Sequence, residues 1–236
     1  MVPNDNETGR NDVVGDQTSL PAAVLWDMDG TLVDTEPAWV AAETALAHRH
    51  GAEWTEADGL SLVGNSLLTS AGYIRERMGL DLTPEEIVEE LLDGVVASVR
   101  ESVPWRPGAR ELLEELHARG VPCALVTMSY ERLVAPILGH LPADTFDVVI
   151  TGDKVSYGKP HPEPYLSAAA ALGLDPADCV AIEDSSTGAT SAEAAGCTVL
   201  VVQNHVAVPP GPRRVFRDSL TELDGPALAR LQSELG

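Results

Sequence analysis

Five short, nearly uninterrupted apolar runs, at residues 23–26, 122–126, 147–150, 179–182 and 198–202, constrain the fold more than any other feature of this chain. A strand wetted on one face alternates polar with apolar residues. A continuous run bounded by turn residues suits a strand buried on both faces, as in a parallel sheet. Helical patterns separate the last four runs. Ala109, Leu112, Leu113 and Leu116 recur at helical spacing with Gly120 placed to end the helix, and Ala168, Ala169 and Leu172 lead to a second stop at Gly173. Strand alternating with helix implies right-handed βαβ units and a doubly wound α/β sheet with a Rossmann-like parallel order. Hydrophobic residues make up 44% of the 236 positions, enough for a sizeable buried core and too many for wholesale disorder.

The first two runs break the alternation, because about 95 residues separate them. That gap has helical signals of its own. Thr83-Pro84-Glu85-Glu86 is a capping box with proline at the first helical position, and Ile87, Val88, Leu91, Leu92, Val95 and Val96 follow it. Residues 38–50 form a second helical stretch. A segment this long and this well patterned is not a loop. The expected organisation is therefore a core of residues 21–36 and 104–236, an inserted α-helical cap over residues 37–103, and a polar, disordered leader over residues 1–20.

Charge narrows the partners. Fifteen basic against 37 acidic side chains leave a formal charge of −22, and Lys154 and Lys159 are the only lysines. Such a chain repels phosphate backbones and anionic lipid at long range, so neither nucleic acid nor a membrane is expected as a partner. An anionic substrate would need positive charge supplied locally. Cys123, Cys179 and Cys197 are odd in number, far apart and embedded in apolar runs, which suits small buried thiols of a reducing compartment. No secretory h-region and no apolar stretch of ~18–20 residues is visible, so a soluble, cytoplasmic monomer is expected.

Polar clusters sit just beyond the C-terminal ends of the expected strands, where open α/β sheets build their sites. They are Asp27-Met28-Asp29-Gly30-Thr31, then Thr127-Met128-Ser129, then the loop residues Gly158-Lys159-Pro160, and lastly Glu183-Asp184-Ser185. On these motifs the sequence resembles the haloacid dehalogenase-like superfamily of phosphohydrolases, over nearly the whole chain after the leader. Val33-Asp34-Thr35-Glu36-Pro37-Ala38-Trp39 and Lys159-Pro160-His161-Pro162 look like the branch of β-phosphoglucomutases and small sugar phosphatases, which carries its cap where the insertion falls here. Trp26 stands where that family usually has Phe, and Met128 where a small or amide residue is commoner.

The resemblance implies a small phosphorylated metabolite as substrate, and the residue chemistry agrees. A phosphate monoester needs a nucleophile, charge neutralisation and a proton donor brought together. Asp27 is the candidate nucleophile, forming an aspartyl-phosphate, and Asp29, two residues on, the candidate acid and base. Asp27, Asp184 and Glu183 form an acidic cluster whose hard oxygen donors, beside a phosphate, point to Mg²⁺. In the family the metal also takes the backbone carbonyl at the position of Asp29. Lys159 offers a point charge, Thr127, Ser129 and amides near Met128 offer neutral donors, and Gly30 allows a sharp turn beside the phosphate. Glu183 is either a ligand or a supporting group. Asp34 and Glu36 either line the hinge of the insertion or begin its first helix, and His161 reads as a loop or cap residue.

Phosphatase and phosphomutase share this machinery. Mutases of the branch carry a cap histidine where this chain has Trp39, an arginine where it has Leu67, and Lys-Asn where it has Tyr130-Glu131. Those departures favour hydrolysis, with Arg49, Arg75, Arg77 and Arg100 left as cationic candidates in the cap. A phospho-receiver signalling domain is a remoter reading, disfavoured by the inserted helices and the late Glu183-Asp184 pair.

Overall fold

The computed structural model describes residues 19–235, so nearly all of the expected leader lies outside the described residues. In chain order the elements are β1 (Ala23–Trp26), α1 (Glu36–His50), α2 (Glu56–Leu60), α3 (Leu67–Met78), α4 (Pro84–Glu101), α5 (Ala109–Ala118), β2 (Cys123–Val126), α6 (Glu131–Leu138), β3 (Val148–Ile150), α7 (Glu163–Leu172), β4 (Cys179–Glu183), α8 (Ser186–Ala195), β5 (Thr198–Val201), β6 (Arg214–Phe216) and α9 (Gly225–Leu231). The six strands form one parallel sheet in the order β3-β2-β1-β4-β5-β6. The winding reverses between β1 and β4, which opens a crevice at their C-terminal ends.

The period of two along each strand sorts side chains between two covered faces. Val24, Trp26, Leu125, Val180 and Ile182 share one apolar cluster with α5, α6 and α9. Ala23, Leu25, Ala124, Val126 and Ala181 join the other, closed by Tyr165, Ala168 and Ala169 of α7 and by Ala189 and Ala192 of α8. Burial on both faces explains why these strands read as unbroken apolar runs. Each of the five expected strands is present to within a residue at either end. Two expectations need correction. β3 is only half-buried, because it is an edge with a single neighbour, β2. β6 was not expected: three residues after Pro209-Pro210-Gly211-Pro212 are too few to show a pattern.

Five helices lie between β1 and β2; the first four, α1–α4, make the insertion, and α5 belongs to the sheet domain. The stretches expected to be helical are α1 and α4. The capping box at Thr83 is formed, with Glu86 N–H donating to Thr83 Oγ1 at 3.2 Å and Thr83 N–H to Glu86 Oε2 at 2.8 Å. α2 is five residues long and α3 buries only four, so neither leaves a strong periodic trace. The apolar stripe of α4, from Ile87 through Val99, packs against α1 and α3. The insertion is also tied to the sheet domain, since α4 packs on α6, where Arg132 bonds Glu89 at 2.6 Å and also Asp93.

Candidate active site

β1 and β4 are hydrogen-bonded neighbours with Trp26 level with Ile182. One step further along each strand brings Asp27 alongside Glu183, and Asp184 follows. One carboxylate oxygen from each of Asp27, Glu183 and Asp184 lies within 4.8 Å of the others. All three side chains are buried.

Lys159 reaches this cluster from the loop before α7. Its Nζ donates to Asp27 Oδ1 and to Glu183 Oε1, both at 2.7 Å, and only 5% of the residue is exposed. Tyr165, wholly buried on α7, donates its hydroxyl to Glu183 Oε1 at 2.5 Å, and Ser185 Oγ donates to Glu183 Oε2 at 3.3 Å. Glu183 is thus held on both oxygens by protein donors. Asp184 differs, because its Oδ1 is buried and has no partner among the described residues.

Burial is the chief cause of the electrostatic strain here. It pushes the Asp27 carboxyl up to about 7, against the opposing pull of the Lys159 ammonium. Asp184 is raised well above the usual carboxylate range by burial and then by Asp27 and Glu183. Burial also works against the charge on Lys159, yet Asp27 and Glu183 outweigh it and hold the ammonium protonated. Three carboxylates against one ammonium leave a deficit that a divalent cation would cancel. An all-oxygen donor set with one orphaned oxygen fits a hard ion such as Mg²⁺.

Gly30 is shaped for this contact. Its φ is +85°, and a Cβ there would lie 2.0 Å from Asp184 Oδ2. A side chain would be strained by the backbone and would also displace the carboxylate.

Asp29 turns its carboxylate away from the acidic cluster. Oδ1 accepts from Thr35 Oγ1 at 2.5 Å and from Trp39 Nε1 at 3.3 Å; Oδ2 accepts from Ser129 Oγ at 2.7 Å and Thr127 Oγ1 at 3.2 Å. As a side chain it therefore does not join the metal-type cluster, and only its backbone carbonyl remains for the ligand role expected of it. Thr127 is wholly buried and also accepts the Ser129 N–H at 3.0 Å. Met128 uses its side chain structurally, its Sδ accepting the Lys159 N–H at 3.2 Å, which leaves only its backbone for a phosphate.

Neighbouring residues resolve the open alternatives. Thr35 is the N-cap of α1, and Asp34 instead bonds His205 at 2.8 Å and Asn204 at 3.3 Å. Glu36, in the first turn of α1, lines the cavity above the cluster. His161 stays in its loop, accepting the Glu163 N–H on Nδ1 and packing on Tyr157. The cavity measures about 80 Å³, room for on the order of five waters. Its floor is Asp27, Asp29, Thr127, Ser129, Lys159 and Asp184, and its roof comes from the insertion.

Sequence reasoning missed Tyr165, Glu43 and His205. Tyr165 left a signal, as the one aromatic on the inner face of an alanine-rich helix. Glu43 left another, as an acid at a buried phase of α1 between Ala42 and Leu46.

A family model for haloacid dehalogenase-like hydrolases matches residues 21–196. The chain belongs to this family. Among haloacid dehalogenase-like hydrolases, hexitol phosphatase B of Escherichia coli K12 is 33% identical over 216 residues, covering 85% of this chain and 93% of that protein. The crystal structure of β-phosphoglucomutase from Clostridium difficile superposes with a TM-score of 0.78 at 25% identity, covering 91% of this chain and 98% of that one. CbbY from Rhodobacter sphaeroides, solved with xylulose 1,5-bisphosphate, gives a TM-score of 0.75 at 26% identity over 86% and 96% of the two chains. Within the haloacid dehalogenase-like hydrolases, this chain is a phosphoric monoester hydrolase. Among the described residues, no helix is long and apolar enough to cross a membrane.

Proposed function

We propose that the chain is a Mg²⁺-dependent phosphatase that hydrolyses small phosphate monoesters, sugar phosphates foremost, through an aspartyl-phosphate on Asp27. The observation that carries this reading is the meeting of Asp27, Asp184 and Lys159 at the β1/β4 switch, beneath a cavity closed by the helical insertion. Residues 37–103 then act as a cap over the core formed by 21–36 and 104–236, excluding bulk water from the reacting phosphoryl group.

Asp27 attacks phosphorus, the bond to the alcohol oxygen breaks, and Asp29 gives that oxygen a proton. Asp29 next takes a proton from water as the water attacks the acyl phosphate, which frees Asp27 and phosphate. Lys159, Thr127, Ser129 and backbone amides balance charge on the phosphoryl oxygens. Asp184, Asp27 and the Asp29 carbonyl would hold Mg²⁺, which when bound neutralises the acidic cluster and phosphate charge. Glu183, engaged on both oxygens, serves to position Lys159.

Lining chemistry favours hydrolysis over phosphomutation. A mutase must grip a second phosphate with a cationic cap contact. None of the four candidate arginines lines the cavity: Arg49 pairs with Glu90 at 2.6 Å and Arg77 with Asp58 at 2.9 Å, and neither Arg75 nor Arg100 reaches it. Three free, buried cysteines support a reducing, cytoplasmic setting, and the enzyme is read as a monomer.

Phosphate release from a panel of sugar and polyol monophosphates tests the reading, with Mg²⁺, with EDTA, and with Asp27→Asn. Metal-dependent release that vanishes in the variant is expected, and undiminished turnover by Asp27→Asn would overturn the nucleophile. Conversion of β-glucose 1-phosphate to glucose 6-phosphate under a bisphosphate primer, faster than hydrolysis, would move the enzyme to the mutases.

A further inference from the structure

Among the described residues, the roof of the cavity carries two carboxyls and no lysine or arginine; His205, from beyond β5, lines the cavity near Glu36 but is paired with Asp34. Glu43, on α1, is 5% exposed and lines the same cavity as Lys159. Its Oε2 accepts the Trp54 indole N–H at 2.9 Å. Gly59 makes room for that oxygen, since a Cβ at this position would lie 3.0 Å from it. Among the described residues, Oε1 accepts no hydrogen bond. Glu36 lines the same wall from the first turn of α1. Asn65 and Ser70 add neutral polar groups to it.

A nearly buried carboxylate with one neutral protein donor keeps an oxygen open to the cavity, where a substrate hydroxyl can replace water as the second donor. Burial, with Glu36 nearby, pushes the Glu43 carboxyl up to about 7 despite the Trp54 bond. The alcohol part of a neutral polyol phosphate brings O–H donors to such a wall. An alcohol part that carries its own carboxylate or second phosphate brings like charge and no donor.

We infer that Glu43 is a specificity-determining residue, accepting a hydrogen bond from a hydroxyl of the leaving alcohol and, with Glu36, turning away monoesters whose alcohol part is anionic. This inference rests on the phosphatase reading above and narrows it to phosphate esters of neutral, polyhydroxylated alcohols. A merely structural Glu43 would anchor Trp54, and its loss would change stability without changing the ranking of substrates.

The test compares kcat/KM for sorbitol 6-phosphate with that for 2-phosphoglycolate at pH 8, above the raised values of Glu36 and Glu43, under saturating Mg²⁺ and with p-nitrophenyl phosphate as a reference ester. Wild-type enzyme is expected to prefer the polyol ester by about 100-fold or more. Glu43→Gln keeps an acceptor for Trp54 but loses the charge, and it is expected to shrink that ratio by about tenfold or more, partly through a gain on phosphoglycolate. A wild-type ratio near unity, or an unchanged ratio in a variant that unfolds as cooperatively as wild type, overturns the inference. Should Glu43→Gln fail to fold, product inhibition of the wild type decides. Sorbitol must compete at lower concentration than glycolate, and equal competition by glycolate overturns the role of Glu43. Turnover of p-nitrophenyl phosphate without turnover of the polyol ester sinks this inference alone, whereas no turnover of any ester sinks the phosphatase reading beneath it.

Discussion

At the rim of the sheet, Asp27, Glu183, Lys159 and Tyr165 come from three separate segments and are bound to one another by bonds of 2.5–2.7 Å. The wall supplied by the helical insertion is different. It is largely apolar, with Leu62, Val63, Val88 and Leu91 around two carboxyls of which Glu43 has a single partner. Groups that must act on a phosphoryl centre are over-determined by their neighbours, and groups that meet the alcohol are left with unused valences. On the function proposed above, the first region would serve a fixed reaction and the second a choice of ester. The two meet at Asp29, whose carboxylate takes two bonds from the sheet loops, one from Thr35 at the N-cap of α1 and one from Trp39 of the insertion.

The contrast breaks first at Asp27. Asp27→Asn is expected to lower kcat by ~10³-fold or more with little change in KM, read by steady-state phosphate release, because the attacking oxygen is gone. A variant that lost only affinity would make the rim a binding surface rather than the reacting centre. Gly30→Ala is next. Its Cβ would displace the Asp184 carboxylate, so Mg²⁺ affinity measured by activity titration is expected to fall about 10–100-fold, the range seen when metal-supporting contacts are lost.

Trp39→Phe tests the junction. It removes the indole N–H that reaches Asp29 while keeping an aromatic ring, and a loss of about 2–10-fold in kcat matches one modest hydrogen bond. The smallest effect lies on the roof. Burial raises both Glu36 and Glu43 from 4.5 to about 7, so between those values the folded chain holds protons that the unfolded chain releases. Stability from these groups is present below about pH 4.5 and declines as pH rises through 7. With Mg²⁺ held saturating, the melting temperature is expected to drop by a few degrees from pH 5 to pH 8, at ~2–4 °C per kcal/mol, and Glu43→Gln should flatten the slope. An unchanged slope in that variant would show that Glu43 is not held out of water.

The rim was far more legible in the sequence than the roof, for a physical reason. Strands buried on both faces have no freedom to be polar, so β1, β2, β4 and β5 appear as apolar runs. Their polar sequels, Asp27 and Asp29, Thr127 and Ser129, Glu183 and Asp184, stand out by contrast. The insertion buries its surface against its own helices, and α2 and α3 use few apolar residues to do so. Glu43 left only its position between Ala42 and Leu46 on α1 as a signal, a faint one beside the contrast at the strand ends.

Short-range relations are settled by the order of residues: Asp29 must fall two positions past Asp27, and a parallel strand must return through a right-handed crossover to lie beside β1. What chain order leaves undecided is direction. Consecutive residues at a strand end project to opposite sides. Packing alone shows that Glu183 faces Lys159 and Tyr165, while Asp184 meets the gap beside Gly30 with one oxygen unpaired. The burial of Lys159, 24 residues from one of its partners and 132 from the other, is likewise a product of the closed sheet, because only there do the desolvated charges outweigh the cost of removing it from water.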